Sequence, residues 1–321
     1  MPKRYAVLFT SLVAASWGAV VCAQTYPEKP VRVIATSTAG GPLDVFTRLV
    51  TNKMEQRLKQ PMVIESRPGA GGNIAVSSVL NGPADGYTIL SSVDTTFTVN
   101  PSLFKKIPFD PEKDFIPISV LAKFGQIVAV NPSVPVNSLK ELVAYSKDHD
   151  LNYSSAGNGF PSHLSFAYLQ AVTGIRANHV PFKGNPPALL ALVNNDVQAT
   201  MVISTSILPH AKSGRVKMLA FSDTTRSEVV PDVPTVSEQG YKDFQVVFGY
   251  VMLAPAGTPK PIVDALYEAS TWAVMSPEVR DKLKNVDTVP VALSPADSAA
   301  WLRTNRQKWA DVIRKQNIRV D

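Results

Sequence analysis

Two short glycine-rich stretches are the parts of this chain whose residue types and spacing best suit chemistry, and the chemistry is binding rather than bond-breaking. Thr38-Ala39-Gly40-Gly41-Pro42-Leu43-Asp44 sets two glycines and a hydroxyl just ahead of Pro42. Proline suits the first position of a helix, where no N–H is needed, and Asp44 then falls in the first turn. The glycines let a ligand approach the backbone, Thr38 adds a hydroxyl, and free amides at the positive end of a helix suit a carboxylate. Each charge-assisted hydrogen bond of that kind is worth about 1.5–3 kcal/mol. An ordinary strand-to-helix turn, with Asp44 satisfied by its own helix, fits the same spacing. Ser154-Ser155-Ala156-Gly157-Asn158-Gly159 repeats the device further on. Two such loops could grip opposite sides of one anion; the alternative for the second is a flexible surface loop.

Other candidates are weaker. The histidines, His149, His163, His179 and His210, never stand three or four apart, which argues against a metal site. Ser155 and His163 invite a nucleophile-and-base reading. Ser155 lies in no Gly-x-Ser-x-Gly elbow, however, and no acid stands behind His163, so a capping or cleft-wall role suits His163 better. Asp94 follows a strand, where cleft residues of parallel sheets sit. Facing a dianion it would repel, so it either points away or recognises a donor group. Phe97, Phe160 and Phe182 stand near the loops and either wall an apolar ligand body or belong to the core. In Arg67-Pro68-Gly69-Ala70-Gly71-Gly72-Asn73 the glycines miss the dinucleotide spacing and Ile74 fills the last small position. That stretch reads as a close-packed turn near the cleft floor, with Arg67 a candidate anion partner. No cofactor is expected.

These residues need elements to hold them. Val31-Arg32-Val33-Ile34-Ala35 reads as a buried strand, followed by a helix to about Lys59 with Phe46, Val50, Met54 and Leu58 at helical spacing. A strand over 62–64, a helix over 74–80 and a strand over 87–90 continue the rhythm of a parallel sheet with right-handed crossovers. The rhythm returns with a strand over 126–130 and a helix opened by the capping box Ser138/Glu141, after which Asn152-Tyr153-Ser154-Ser155 leads into the second glycine stretch and a helix from about Ser162. Strands near His179 and Met201 and over 216–221 complete this second unit, and Thr235/Glu238 forms another capping box. The last third is helical, over 261–275 and again from Ser294-Pro295, with Leu302, Trp309 and Ile313 on one face. The expectation is an α/β fold of two Rossmann-like lobes around a cleft. The chain should cross between lobes near 123–126 and 245–250, giving lobe 1 as 24–124 plus 246–321 and lobe 2 as 125–245.

Composition sets the outer limits. With 45% hydrophobic and 18% charged residues the chain can bury a full core. Lys3 and Arg4 precede an apolar run over 5–21 diluted by Thr10, Ser11 and Ser16, which reads as a secretory signal peptide over 1–23, cleaved after Ala23, rather than an anchor helix. Cys22, the only cysteine, raises a lipidation alternative, although Val21 is bulky where a lipoprotein site wants a small residue. Removing Lys3 and Arg4 takes the net charge from +6 to +4. The charges are scattered, which favours small anions over nucleic acid.

Seven motifs in order resemble the Bug family, the periplasmic receptors of tripartite tricarboxylate transporters. They are Tyr26-Pro27-Glu28-Lys29-Pro30-Val31, Ala39 to Asp44, Arg67 to Asn73, Ala84-Asp85-Gly86-Tyr87-Thr88, Pro181-Phe182-Lys183-Gly184, Pro231-Asp232-Val233-Pro234-Thr235 and Ala254-Pro255-Ala256-Gly257-Thr258-Pro259. The resemblance implies a periplasmic-binding-protein type II, or Venus-flytrap, fold that captures a small carboxylate and delivers it to membrane permease subunits. It implies that main-chain amides of Thr38 to Asp44 and Ser154 to Gly159 hold the carboxylate. Ser66 stands where the family usually has Asn, and Phe248-Gly249-Tyr250 replaces a Trp-containing segment. The phenylalanines tilt the ligand toward an aromatic or medium-length dicarboxylate. A monomeric receptor is expected. The rivals are a ligand sensor for a kinase and, in another class, a periplasmic serine hydrolase built on Ser155 and His163.

Overall fold

The computed structural model describes residues 26–242 and 244–318; the signal-peptide reading and Cys22 lie outside this range. In chain order β1 (Val31–Ala35), α1 (Pro42–Leu58), β2 (Met62–Ser66), α2 (Asn73–Leu80), β3 (Thr88–Val93), α3 (Thr95–Thr98), α4 (Asn100–Leu103) and β4 (Phe115–Phe124) form the first run. The second holds β5 (Ile127–Val130), α5 (Leu139–Tyr145), β6 (Asn152–Ser155), α6 (Pro161–Thr173), β7 (Asn178–Pro181), α7 (Asn185–Val193), β8 (Ala199–Val202), α8 (Ser204–Lys212) and β9 (Lys217–Phe221). A third run, β10 (Phe248–Pro255), α9 (Lys260–Val274), α10 (Pro277–Lys284), β11 (Thr288–Pro290) and α11 (Pro295–Lys315), rejoins the first.

The strands make two sheets, one per lobe: six in the order β11-β4-β10-β3-β1-β2 and five in the order β7-β6-β8-β5-β9. Within the first, β2, β1 and β3 are parallel, as the strand-turn-helix rhythm requires. Only Arg32 of β1 is exposed, and it reaches Glu65 on β2 at 2.8 Å. Phe46, Val50 and Met54 of α1 are buried as their spacing predicts, each such burial contributing roughly 1.5–3 kcal/mol. The sheet is closed by β10, wholly buried and antiparallel to β3 and β4 on either side. Helices α9 and α11 pack on β4, and Trp309 of α11 stacks on Phe248 at 5.6 Å.

Between the sheets the chain passes through Gly125 and Gln126, and returns after residue 245. Ser222 sews these passages together. Its Oγ accepts from the Gln126 amide at 2.8 Å and donates to the Val246 carbonyl at 2.6 Å. Gly125 leaves room for the Phe221 ring, since a Cβ there would lie 2.5 Å from it and one of the two would have to shift.

One local expectation needs adjustment, and one open alternative is decided. The Thr235/Glu238 box closes in both directions, at 3.0 and 2.7 Å, but opens a turn instead of a helix. The Val236 amide is tied to Phe221 as an extension of β9, and Gly240 takes φ +106, so the chain cannot continue helically. Phe97 belongs to the core, against Phe109 at 5.2 Å and Phe115 at 5.3 Å.

Candidate functional site

The turn between β1 and α1 owes its shape to Asp44. Gly40 adopts φ +76 and Gly41 is the extended residue before Pro42, so the chain doubles back over the helix start. The Asp44 carboxylate accepts from the Gly40 amide at 2.9 Å and from Arg48 Nε at 2.9 Å. Burial opposes its charge, but the Arg48 guanidinium and the Gly40 amide outweigh burial and hold the carboxyl below its ordinary range. Asp44 is thus satisfied by its own loop and helix and does not line the cleft. With Gly40 engaged and the Gly41 amide bonded to the Thr38 carbonyl at 3.2 Å, the amides left without a protein partner are those of Ser37, Thr38 and Ala39. Ser37 Oγ is buried beside them, also without a partner.

The second loop is spent differently from the expectation. Ala156 N–H goes to Ser162 Oγ at 2.9 Å, Gly157 N–H to Ser155 Oγ at 3.1 Å and Gly159 N–H to His163 Nδ1 at 3.1 Å. Only Ala156 and Gly157 of this loop face the cleft. Ser154 Oγ is turned to the Ala188 carbonyl, and Ser155 is fully buried with its Oγ 2.6 Å from His179 Nε2. The serine–histidine pair that forms is therefore Ser155–His179, closed off from the cleft. His163 and Asn158 lie on the far side of the loop, in a polar pocket of about 280 Å³ with His179 and Gln316. Gly159 lies against Leu103 of the opposite lobe.

Asp94 departs from its expected place. At the end of β3 the chain turns straight into α3, and the carboxylate points into the first lobe, where Trp301 Nε1 donates to it at 2.8 Å. Arg67 is paired with Glu65 at 3.1 Å, and Ser66 lies beside Asp44; neither lines the cleft.

What the two lobes enclose is a cleft of about 1410 Å³. Its polar end holds residues 36–41 and, across from them, Ala156, Gly157 and residues 183–185 with Thr205 and Ser206. Its remaining wall is apolar: Phe46, Leu49, Phe160, Phe182, Ile203 and Tyr250 are among the lining residues. Tyr250 stacks on Phe46 at 4.5 Å, so the segment that replaces the tryptophan motif does reach the cleft. Val45, Phe160 and Leu190 are 51%, 44% and 54% exposed, large apolar groups turned to the open cleft. Among the described residues the lining contains Lys183, Lys282 and His210 but no Asp or Glu. That balance favours an anion with an apolar body.

The walls from Lys183 to Asn185, from α8 and from Lys282 to Val286 were not foreseen. Pro181-Phe182-Lys183-Gly184 was visible as a motif, but only the fold brings it opposite residues 36–41.

Comparison with known proteins agrees with this geometry. The family model described as "Tripartite tricarboxylate transporter family receptor" matches residues 46–318. Protein BugT of Bordetella pertussis is 31% identical, over 100% of this chain and 99% of that protein. A Rhodopseudomonas palustris protein solved with adipate is 28% identical with TM-score 0.86, covering 92% of this chain and 99% of that one. MatC from the same organism, solved with bound malate, is 33% identical with TM-score 0.81, covering 90% and 100%. A two-lobed α/β frame, a cleft with free amides and, among the described residues, no acid on its walls, and relatives that match along nearly their whole length lead to one assignment: the chain belongs to the receptors of the tripartite tricarboxylate transporter family.

Proposed function

We propose that this protein is a periplasmic receptor that captures a small organic acid with a sizeable apolar body and delivers it to the membrane subunits of a tripartite transporter. The observation that carries the reading is the cleft lining: partnerless amides at residues 37–39, basic side chains, an apolar wall, and no carboxylate among the described residues. The acid's carboxylate takes the amides of 37–39 and the Ser37 hydroxyl, while Phe46, Leu49, Phe160 and Tyr250 cover its carbon skeleton. The malate and adipate bound by relatives support a carboxylate, and the apolar wall favours adipate-like or aromatic acids over hydroxylated ones. The lobes, 24–124 with 246–321 and 125–245, close as the ligand recruits contacts from both, and its differential affinity sets the closed population. The receptor is monomeric, needs no cofactor, and is exported by the leader over 1–23. Its cleft is a place to hold a solute, and Ser155, sealed against His179, is not a nucleophile presented to it.

A thermal-shift and calorimetric panel of citrate, malate, adipate, benzoate and phenylacetate tests this. An acid at a hundred times its dissociation constant adds about 2.7 kcal/mol of stability. Binding of adipate or an aromatic acid ahead of citrate and malate is expected. A preference for citrate or malate would sink the apolar-body claim, and no shift with any acid would sink the receptor reading.

A further inference from the structure

Behind the cleft loop of the second lobe, two histidines outside the ligand site hold that loop in shape. His163 at the start of α6 and His179 on β7 lie ring on ring, 4.0 Å apart and 3° from parallel. His179 lies in turn on Tyr153 at 4.9 Å, and Tyr153 on Phe166 at 3.9 Å, so four rings form one pile. Both histidines grip the loop. His163 Nδ1 accepts from the Gly159 amide at 3.1 Å. His179 Nε2 meets Ser155 Oγ at 2.6 Å, and that oxygen accepts from the Gly157 amide at 3.1 Å.

The held loop faces two ways. Gly157 and Phe160 line the ligand cleft. Between them Gly159 packs so closely on the first lobe that a Cβ would lie 2.3 Å from Leu103 Cδ2. Gly157 and Gly159 take φ +132 and +76, backbone shapes open to glycine, which also leaves this turn many alternatives unless it is held. Ligand wall, lobe contact and histidine pile therefore meet in one short turn.

The hydrogen bonds fix the protonation state. An amide only donates, so His163 Nδ1 carries no proton and the neutral ring bears its hydrogen on Nε2. A second proton on this ring would set N–H against the Gly159 N–H. A proton on His179 is better tolerated, because Ser155 can accept it and turn its own hydrogen to the Gly157 carbonyl at 3.1 Å. Facing the pair are Tyr153 and Ser155 of β6, Ala167 and Gln170 of α6, Asn158 of the loop, and residues 316–318 beyond α11. Among the described residues none of these is a carboxylate or a cation. Burial, with His179 adding to it, pushes His163 down to about 3, and burial pushes His179 down to about 4.

We propose that His163 and His179 are positioning residues for ligand capture: the neutral stacked pair moors residues 157–160 in the shape that lines the cleft and seats on Leu103, and a proton on His163 releases it. This rests on the receptor reading above. Adipate titrated calorimetrically into the full chain between pH 5 and 8 tests it. Wild-type affinity falls about threefold or more from pH 7.5 to 5, because the released loop takes up the proton that the moored loop refuses. His163→Asn, whose Oδ1 replaces the Nδ1 acceptor but cannot titrate, keeps the wild-type affinity at pH 7.5 and falls less toward pH 5 than wild type, the remaining fall coming from protonation of adipate itself. His163→Leu, which removes the acceptor, binds about tenfold more weakly while still melting cooperatively. Wild-type binding by His163→Leu, or an unchanged pH profile in His163→Asn, overturns the proposal. If the wild type does not bind adipate, the ligand assignment fails separately, and hydrogen exchange at residues 157–160 decides: protection kept in His163→Asn and lost in His163→Leu supports the mooring, and equal exchange in all three proteins overturns it.

Discussion

The indole N–H of Trp301 donates to Oδ2 of Asp94 at 2.8 Å, joining the last helix to the end of β3 inside the first lobe. The other carboxylate oxygen is buried without a partner. Burial pushes this carboxyl up to about 7, against the pull of the Trp301 indole and the Gly249 and Thr95 amides. A raised carboxyl favours the folded state at low pH, where the folded protein keeps a proton that the unfolded chain has lost. That contribution disappears as pH rises through about 7. Asp94→Asn, neutral throughout, is expected to gain stability relative to wild type between pH 5 and pH 8. Urea melts at the two pH values check this, and parallel changes in both proteins would refute it.

Gly40→Val tests the ligand turn. No atom lies within 4 Å of a Cβ at Gly40, so the added side chain meets the cleft rather than the core. At φ +76 a β-branched residue costs about 1–2 kcal/mol of backbone strain. A folded protein with a slightly lower melting temperature and at least about tenfold weaker acid binding is expected. Unchanged affinity by calorimetry would remove this turn from the site.

Asp287 ties the lobes beside the cleft. It sits before β11 of the first lobe and accepts from Ser204 Oγ of α8 and from Ser227 Oγ at 2.7 Å. Hydrogen bonds to a buried carboxylate are worth about 1.5–3 kcal/mol each. Asp287→Ala also places alanine at φ +48, so a loss of about 3 kcal/mol in a urea melt is expected, with a smaller loss for Asp287→Asn. A loss under 1 kcal/mol for the alanine variant would show that the tie is idle.

The buried histidines predict acid sensitivity of the apo protein. Both are neutral while the loop is moored, whereas the unfolded chain takes up their protons as pH falls through about 6.5. Stability is therefore present above that value and lost from about 6.5 down to about 4 for His179 and about 3 for His163, with a slope of at most about 2.7 kcal/mol per pH unit from the pair. His163→Asn should roughly halve that slope in denaturation series at pH 7, 6 and 5. An unchanged slope would show that His163 does not titrate in this way.

Much of the frame was readable because each apolar run of the first and second lobes is punctuated by glycine or proline. The stripe Phe46, Val50 and Met54 fixes the buried face of α1, and Gly40-Gly41-Pro42 marks its start. Periodicity does not choose partners, however. Nothing in the run from Phe248 to Pro255 says that it enters between β3 and β4. The site divides in the same way. The first glycine turn was locatable, but whether its amides are free depends on where Asp44 and Thr38 point. The second turn is its equal in sequence, but its amides are bonded to Ser162, Ser155 and His163. The His163–His179 stack was invisible because a helix and a strand apart in sequence bring the rings together.

The place of β10 also orders the making of the molecule. Strands β5 to β9 are continuous in the chain, so the second sheet can finish as soon as residue 221 is available. The first sheet must wait for residues 248–255 to reach its middle, and β4 has neither β10 nor β11 beside it until then. Such long-range closure is slow, so the amino-terminal third stays unlocked while the rest of the chain is being delivered.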